Sequence, residues 1–181
     1  MKTFTEQKFN IPTLKGISAK TIEEHLKLYA GYVKNANEIL ATGQYDRRFP
    51  FEFNGMRNHE LYFSHFENGP QPLSPESPLI QAGFDLEKFK ALALTRGVGW
   101  AMLVWDPTSK QLLQNWVDEQ HLGQLSACVP LLALDMWEHS YVADYLPSGK
   151  KNYVEDFFAN LNWGKIEENF LTAQVGLNVS K

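Results

Sequence analysis

The sequence predicts an α+β fold: an N-terminal antiparallel helical hairpin followed by a three-stranded antiparallel sheet packed with helices. Three observations support this class. Apolar residues recur every three or four positions in the first third of the chain, which is typical of helices. The pattern becomes strand-like after residue 100 and returns to the helical spacing beyond residue 137. Helices and strands are therefore segregated along the chain, as in α+β proteins.

The first predicted helix covers residues 17–42, with Ser18 as its N-cap and Gly43 as its stop. Its apolar face consists of Ile22, Leu26, Tyr29, Val33, Ala36 and Leu40. Residues 44–55 read as a connector, and a second helix is predicted over residues 55–67. Two helices joined by a short connector form an antiparallel hairpin.

A proline-rich linker at residues 68–78 is the clearest boundary in the chain. It predicts an N-terminal helical-hairpin domain over residues 1–72 and a C-terminal α/β domain over residues 73–181. The second domain begins with a short helix over residues 84–93, capped by Asp85.

The central part of the chain has the pattern of a small antiparallel sheet. A polar turn at residues 106–109 joins the first two predicted strands into a hairpin. The predicted strands cover residues 100–105, 111–117 and 129–134, and further helices follow over 153–160 and 163–171.

Composition excludes several classes of function. Lys plus Arg number 17 against 21 for Asp plus Glu, a balance that argues against a dedicated nucleic-acid-binding protein. The N-terminal segment lacks the apolar core of a signal peptide, and no apolar run approaches the length of a membrane span. We therefore expect a cytoplasmic protein with no membrane or nucleic-acid partner. The single cysteine, Cys128, excludes an intrachain disulfide, and its apolar neighbours predict a small core residue.

Two histidines in the predicted hairpin could form part of a metal site. His25 lies in the first helix and His59 near the start of the second. Helical bundles often build metal sites between facing helices, so these two imidazoles could share one ion. His65 and His121 have no such setting, and we expect them to be structural or exposed.

Asp135 and His139 are a second pair of candidate ligands. They are four residues apart, so a helical turn between them would let both side chains reach one point. Asp135 follows an apolar strand, and a buried carboxylate requires a partner or a metal ion. Three imidazoles and one carboxylate suit iron, manganese or zinc. A zinc hydrolase on these ligands would lack an obvious general base.

At these residues the sequence resembles the iron/manganese superoxide dismutase family. The segment Leu134–Tyr141 (LDMWEHSY) resembles the D-x-W-E-H-A-Y signature, and Asn58–Phe63 is similar to N-H-x-x-Y-W. Residues 17–25 match I-S-x-x-T-x-x-x-H, residues 97–104 resemble G-S-G-W-x-W-L-V, and residues 153–163 match the Y-x-x-x-F…N-W tail. The resemblance runs through nearly the whole chain in the same order.

The resemblance implies one manganese or iron ion per subunit, cycling between +2 and +3 as it converts superoxide to oxygen and hydrogen peroxide. The implied ligands are His25, His59, Asp135 and His139, with a solvent molecule as the fifth. Tyr32 would stand at the substrate funnel, and the indoles that would wall the site are Trp100 and Trp137.

Members of the family also use a glutamine that hydrogen-bonds the metal-bound solvent. Iron-type bacterial members usually place it four residues before the second histidine, where this chain has Gly55. The other source in the family corresponds to Gln120, fifteen residues before Asp135. This arrangement resembles the manganese type, although some iron enzymes share it, and we expect manganese.

The chain departs from the family at the mouth of the funnel. The family's second histidine and second tyrosine, which pair across the dimer interface, correspond to positions near Tyr29 and at Val142. Glu138, which in the family bridges to the partner subunit's last histidine ligand, is retained, so the resemblance implies a homodimer. The lost pair leaves open a second interpretation, a scaffold or interaction protein of the same fold. His25 and Tyr32 are seven residues apart instead of eight, which predicts a regular helix with Tyr32 facing the metal.

Overall fold

The computed structural model describes residues 2–175 and confirms the α+β fold. The hairpin consists of helices α1 (Ala19–Thr42) and α2 (Arg48–Ser64). The sheet consists of strands β1 (Gly99–Asp106), β2 (Gln111–Asp118) and β3 (Val129–Asp135). The remaining helices are α3 (Pro78–Gln81), α4 (Leu86–Ala93), α5 (Val142–Tyr145), α6 (Lys150–Asn160) and α7 (Trp163–Val175), with 3₁₀ turns at Glu138–Ser140 and Pro147–Gly149.

Helix α1 begins and ends at the predicted caps. The Ser18 hydroxyl accepts a hydrogen bond from the Thr21 N–H at 3.1 Å. Gly43 adopts the left-handed conformation (φ 66°) and donates its N–H to the Ile39 carbonyl, which closes the last turn. The helix is continuous between these caps, so residues seven apart lie on nearly the same side of it.

The predicted start of the second helix is wrong, because α2 begins at Arg48 and the connector is shorter than expected. The Asp46 carboxylate accepts a hydrogen bond from the Arg48 N–H at 2.8 Å and so satisfies one of the free donors at this helix end. Pro50 lies in the first helical turn, where its missing N–H removes no helical hydrogen bond. A proline that looked like part of a connector is therefore inside the helix.

The three strands are ordered β2-β1-β3, and both pairs are antiparallel. Pro130 is tolerated in β3 because that strand is at the edge of the sheet. In the register of the sheet, Trp100 pairs with Val117 on one side and with Asp135 on the other. The pairing therefore places Asp135, the last residue of β3, directly opposite Trp100 at the start of β1.

Aromatic side chains fill much of the core between the hairpin, the sheet and α6. Tyr62, Trp100, Tyr153 and Phe157 are fully buried, and the rings of Tyr62 and Phe157 stack with centroids 5.6 Å apart. Cys128 is only half-buried at the margin of this core. No helix within residues 2–175 has the length and apolar character needed to cross a bilayer.

Candidate metal centre

Four side chains from distant parts of the sequence converge in the interior. His25 comes from α1, His59 from α2, Asp135 from the end of β3 and His139 from the following 3₁₀ turn. One potential ligand atom from each of them lies within 4.8 Å of the others. The structure thus brings together all four residues that the sequence predicted as ligands.

One carboxylate oxygen, Asp135 Oδ2, lies close to all three imidazoles. It is 3.1 Å from His25 Nε2, 3.1 Å from His139 Nε2 and 3.6 Å from His59 Nε2. Metal–nitrogen and metal–oxygen bonds of about 2.1 Å place neighbouring ligand atoms roughly 3.0–3.6 Å apart. The spacing of these atoms therefore fits ligands that share a single ion.

The expected helical turn between Asp135 and His139 is absent from this part of the structure. Asp135 ends a strand, Trp137 is extended (φ −69°, ψ 147°), and the 3₁₀ turn begins only at Glu138. The two side chains still meet, and the Ser140 hydroxyl, 2.7 Å from the Trp137 carbonyl and 3.0 Å from the Asp135 carbonyl, holds the turn close to the end of the strand.

Asp135 is held in place through all three of its oxygens. Oδ1 accepts the Trp137 N–H at 2.8 Å, which leaves Oδ2 directed at the imidazoles. The backbone carbonyl accepts hydrogen bonds from the Tyr153 hydroxyl at 2.9 Å and from Ser140. Burial opposes ionisation of this carboxyl, but His139 and His25 outweigh it and lower its pKa. The side chain is therefore a fixed anion.

The two fully buried histidines of the cluster, His25 and His59, are neutral and can act as ligands. His59 Nδ1 lies 2.6 Å from the Gly55 carbonyl, which can only accept, so Nδ1 carries the proton. His59 Nε2 has no hydrogen-bond partner among residues 2–175 and presents a lone pair to the cluster. Burial lowers the pKa of His59 to about 3, and it also lowers the pKa of His25 despite the attraction of Asp135. An unpartnered buried nitrogen facing a carboxylate is what a metal ion would satisfy.

A chain of hydrogen bonds runs beside the candidate ligands. The Trp100 indole N–H donates to Gln120 Oε1 at 2.9 Å, and Gln120 Nε2 donates to the Tyr32 hydroxyl at 3.0 Å. The Tyr32 ring centroid lies 5.0 Å from that of His59, so Tyr32 faces the cluster from the continuous helix α1. Burial, followed by the charges of Asp135 and Glu52, raises the pKa of Tyr32, so this phenol keeps its proton.

Trp137 and Glu138 lie on the outer side of the cluster. The Trp137 ring stacks on His139 with centroids 5.9 Å apart, and its indole N–H donates to the Glu119 carbonyl at 3.0 Å. Glu138 is exposed, and the His139 side chain is 23% exposed, so this face is the open side of the site.

The structure also shows where the other histidines lie. His65 is fully buried and structural, because its Nε2 accepts the Ala133 N–H at 3.1 Å. His121 is half-buried at an open cavity of about 360 Å³, where its ring meets Phe51, a neighbour of Tyr32. His65 is structural, as expected, whereas the half-buried position of His121 beside Phe51 had no signal in the sequence other than its place directly after Gln120.

Tyr29, the residue near the family's second histidine, does not face the site. It is fully buried, and its hydroxyl accepts the Gln7 N–H at 2.8 Å and donates to Glu60 Oε1 at 3.1 Å. The side of α1 that carries Tyr29 is therefore used to hold the N-terminal segment. No tyrosine–histidine pair is rebuilt at this position.

Fold and site together define a mononuclear metalloprotein candidate with three histidine ligands and one aspartate. Residues 83–169 match the family profile of the iron/manganese superoxide dismutases, C-terminal domain. The chain is 30% identical over 190 aligned positions to a superoxide dismutase [Fe] of Pyrobaculum aerophilum, covering 90% of each chain. It is 43% identical over 165 positions to a superoxide dismutase [Mn] of Haloarcula marismortui, covering 82% of this chain and 80% of that relative.

A superoxide dismutase [Mn/Fe] of Propionibacterium freudenreichii is 28% identical over 187 positions, covering 88% of this chain and 90% of the relative. The matched lengths include both the helical hairpin and the sheet. The chain belongs to the iron/manganese superoxide dismutase family.

Proposed function

We propose that the protein is a superoxide dismutase that uses manganese held by His25, His59, Asp135 and His139. The observation that carries the proposal is the convergence of three imidazole nitrogens on one buried carboxylate oxygen, at distances of 3.1–3.6 Å. These four residues would hold a manganese or iron ion, which when bound would supply one-electron chemistry: one superoxide is oxidised to oxygen, and a second, with two protons, is reduced to hydrogen peroxide.

The residues beside the ligands would supply protons to the site and limit the access of bulk water to it. Tyr32 accepts a hydrogen bond from Gln120, so its own O–H remains free to donate toward an anion at the site. Trp100 fixes the Gln120 amide, and Trp137 covers the imidazole of His139. We assign Tyr32 and Gln120 to proton supply, and Trp100 and Trp137 to walling the site from bulk water.

We favour manganese because the source of the site's amide resembles that of the manganese type, an arrangement that some iron enzymes share. A Cβ atom at Gly55 would lie 2.6 Å from the Tyr32 ring, so no glutamine side chain fits there. Gln120 supplies the amide instead, from the turn after β2. Hydrogen bonding around a metal site tunes its potential, so the position of this amide influences which metal supports turnover.

We propose further that the chain forms a homodimer with Glu138 at the interface and acts in the cytoplasm. The exposed Glu138 carboxylate has no ion-pair partner among residues 2–175 and lies next to the partly exposed His139. A carboxylate in this position could pair with a group on a second copy. Sedimentation of the wild-type protein and of Glu138→Gln tests the proposed homodimer, and a monomeric mass for both proteins would contradict it.

The first test is superoxide dismutation by protein loaded separately with manganese and with iron. We expect activity with manganese, one ion per chain, and loss of both metal and activity in His59→Ala, because a ligand is removed. His121→Ala is the matched control and should keep its metal. Full loading without activity in either form would instead favour the scaffold interpretation, and failure to bind metal would contradict the ligand set.

A further inference from the structure

The turn that carries Gln120 is closed tightly. Asp118 and Leu122 exchange two backbone hydrogen bonds, of 2.8 and 3.1 Å, so that Gln120 stands at the turn between them. Glu119 adopts a left-handed conformation with φ 53°, which residues other than glycine rarely adopt. Such a conformation persists only where the surrounding structure holds it.

One group that holds this turn comes from α2. The Asn58 amide Nδ2 donates to the Gln120 backbone carbonyl at 3.0 Å, and Asn58 is only 2% exposed. Asn58 directly precedes His59 in the same helix. The backbone of the turn is therefore tied to the element that carries a proposed ligand.

A second group comes from the segment after β3. The Trp137 indole N–H donates to the Glu119 carbonyl at 3.0 Å, and Trp137 lies midway between the proposed ligands Asp135 and His139. Two neighbouring carbonyls of the turn are thus held by two different ligand-bearing segments.

We propose that Asn58 is a positioning residue for the reaction, acting through Gln120. Its hydrogen bond links the Gln120 turn to the helix of His59, so that the Gln120 amide keeps a fixed distance from the ligand set when either segment moves. This inference rests on the proposed function and adds to it a residue that helps to set the potential of the bound metal. Groups that orient the partners around a metal site typically change affinity or activity by about 10–100-fold when removed.

The test is Asn58→Leu, which keeps a similar volume and removes the donor. We expect one metal ion per chain, as in the wild type, with kcat lower by about tenfold or more and a shifted midpoint potential of the bound metal. The optical spectrum of the oxidised metal should shift with the potential. The potential and the spectrum report on the geometry around the bound metal, so a variant that is only less stable, with the same geometry at the metal, would leave both unchanged.

The matched control is Asn115→Leu. Asn115 Nδ2 also donates to a backbone carbonyl near this turn, that of Gly123 at 3.1 Å, but Asn115 touches no proposed ligand segment. We expect this variant to lose stability while keeping the wild-type potential. A wild-type potential in Asn58→Leu, or the same shift in both variants, would overturn the proposal.

Asn58→Ala is a second variant, used if Asn58→Leu fails to fold. It removes the same donor to the Gln120 carbonyl without adding apolar volume, so the potential should shift here too, and an unchanged potential would overturn the proposal. The potential is measured on metal-loaded protein whether or not it turns over superoxide. If the wild type did not turn over superoxide, the proposed function would be contradicted. The positioning role of Asn58 would still be tested by the potential of the bound metal.

Discussion

Gly55 serves the site through its carbonyl group and through its missing side chain. Its carbonyl accepts the Nδ1 proton of His59 and so fixes the tautomer that leaves Nε2 free. Its Cα lies so close to the Tyr32 ring that a Cβ would meet that ring at 2.6 Å. One residue thereby orients a proposed ligand and leaves room for the phenol beside it.

The first prediction concerns Gly55→Ala. We expect the added methyl to displace the Tyr32 ring and break its hydrogen bond to Gln120, with a loss of activity of roughly tenfold or more at unchanged metal content. Activity per bound metal ion checks this. Gly31→Ala is the control, because nothing lies within 4 Å of its Cβ position in α1. It should gain up to about 1 kcal/mol of stability and keep its activity, and equal losses in both variants would contradict the argument.

At this scale the sequence predicted the identity of the converging residues better than their contacts. His25, His59, Asp135 and His139 could be selected from residue type, spacing and family resemblance. The hydrogen bond from Asn58 to Gln120 could not, because it joins residues 62 positions apart and leaves no periodic signal. Only the tertiary structure brings Asn58 and Gln120 together.

At the scale of elements, the start of α1 couples the hairpin to the segment after the sheet. Ser18 caps the helix through its hydroxyl, and its backbone N–H donates to the Asp144 carboxylate of α5 at 2.8 Å. The helix that carries His25 is therefore fixed at its beginning by a group beyond the proposed ligand His139.

The second prediction is that Ser18→Ala lowers the free energy of unfolding by about 1 kcal/mol, because the Thr21 N–H loses its acceptor. Metal content should stay unchanged, since the bond from the Ser18 N–H to Asp144 is kept. Urea unfolding measures the effect. Ser64→Ala, at the C-terminal end of α2, serves as control and should cost less, so an equal loss in both would refute the capping role.

Hydrophobic spacing was enough to predict the main helices and strands, but it predicted their first and last residues less well. The caps of α1 were correct because serine and glycine have strong local preferences there. The start of α2 was wrong because Pro50 is as compatible with a first helical turn as with a connector. The prediction of a helical turn between Asp135 and His139 was wrong, because residues four apart can also be brought together by the end of a strand followed by a 3₁₀ turn.

At the scale of the whole molecule, buried neutral histidines make stability depend on pH. Burial lowers the pKa of both His59 and His65 to about 3, against 6.5 for an accessible histidine. Between these values the unfolded chain binds more protons than the folded one, so stability falls as the pH falls. His139 has a raised pKa because of Asp135, which outweighs burial, and contributes in the opposite direction.

The third prediction is that the metal-free protein loses stability as the pH is lowered from about 6.5 toward 3, by about 1.4 kcal/mol per pH unit for each such histidine. Unfolding measured across this range checks the slope. His65→Gln keeps an acceptor for the Ala133 N–H. Its free energy of unfolding should fall less steeply with pH, by about 1.4 kcal/mol per pH unit, because one fewer proton is taken up on unfolding. Identical slopes in the two proteins would show that His65 does not titrate as a buried group.

The separation of the four converging residues along the chain has a consequence for synthesis. His25 and Asp135 are 110 positions apart, and His139 follows four residues later. A nascent chain that has released only its helical hairpin offers two imidazoles and no carboxylate from β3. With the proposed ligand set, the complete site forms only after most of the polypeptide has left the ribosome, so we expect metal loading to be a late step in the protein's maturation.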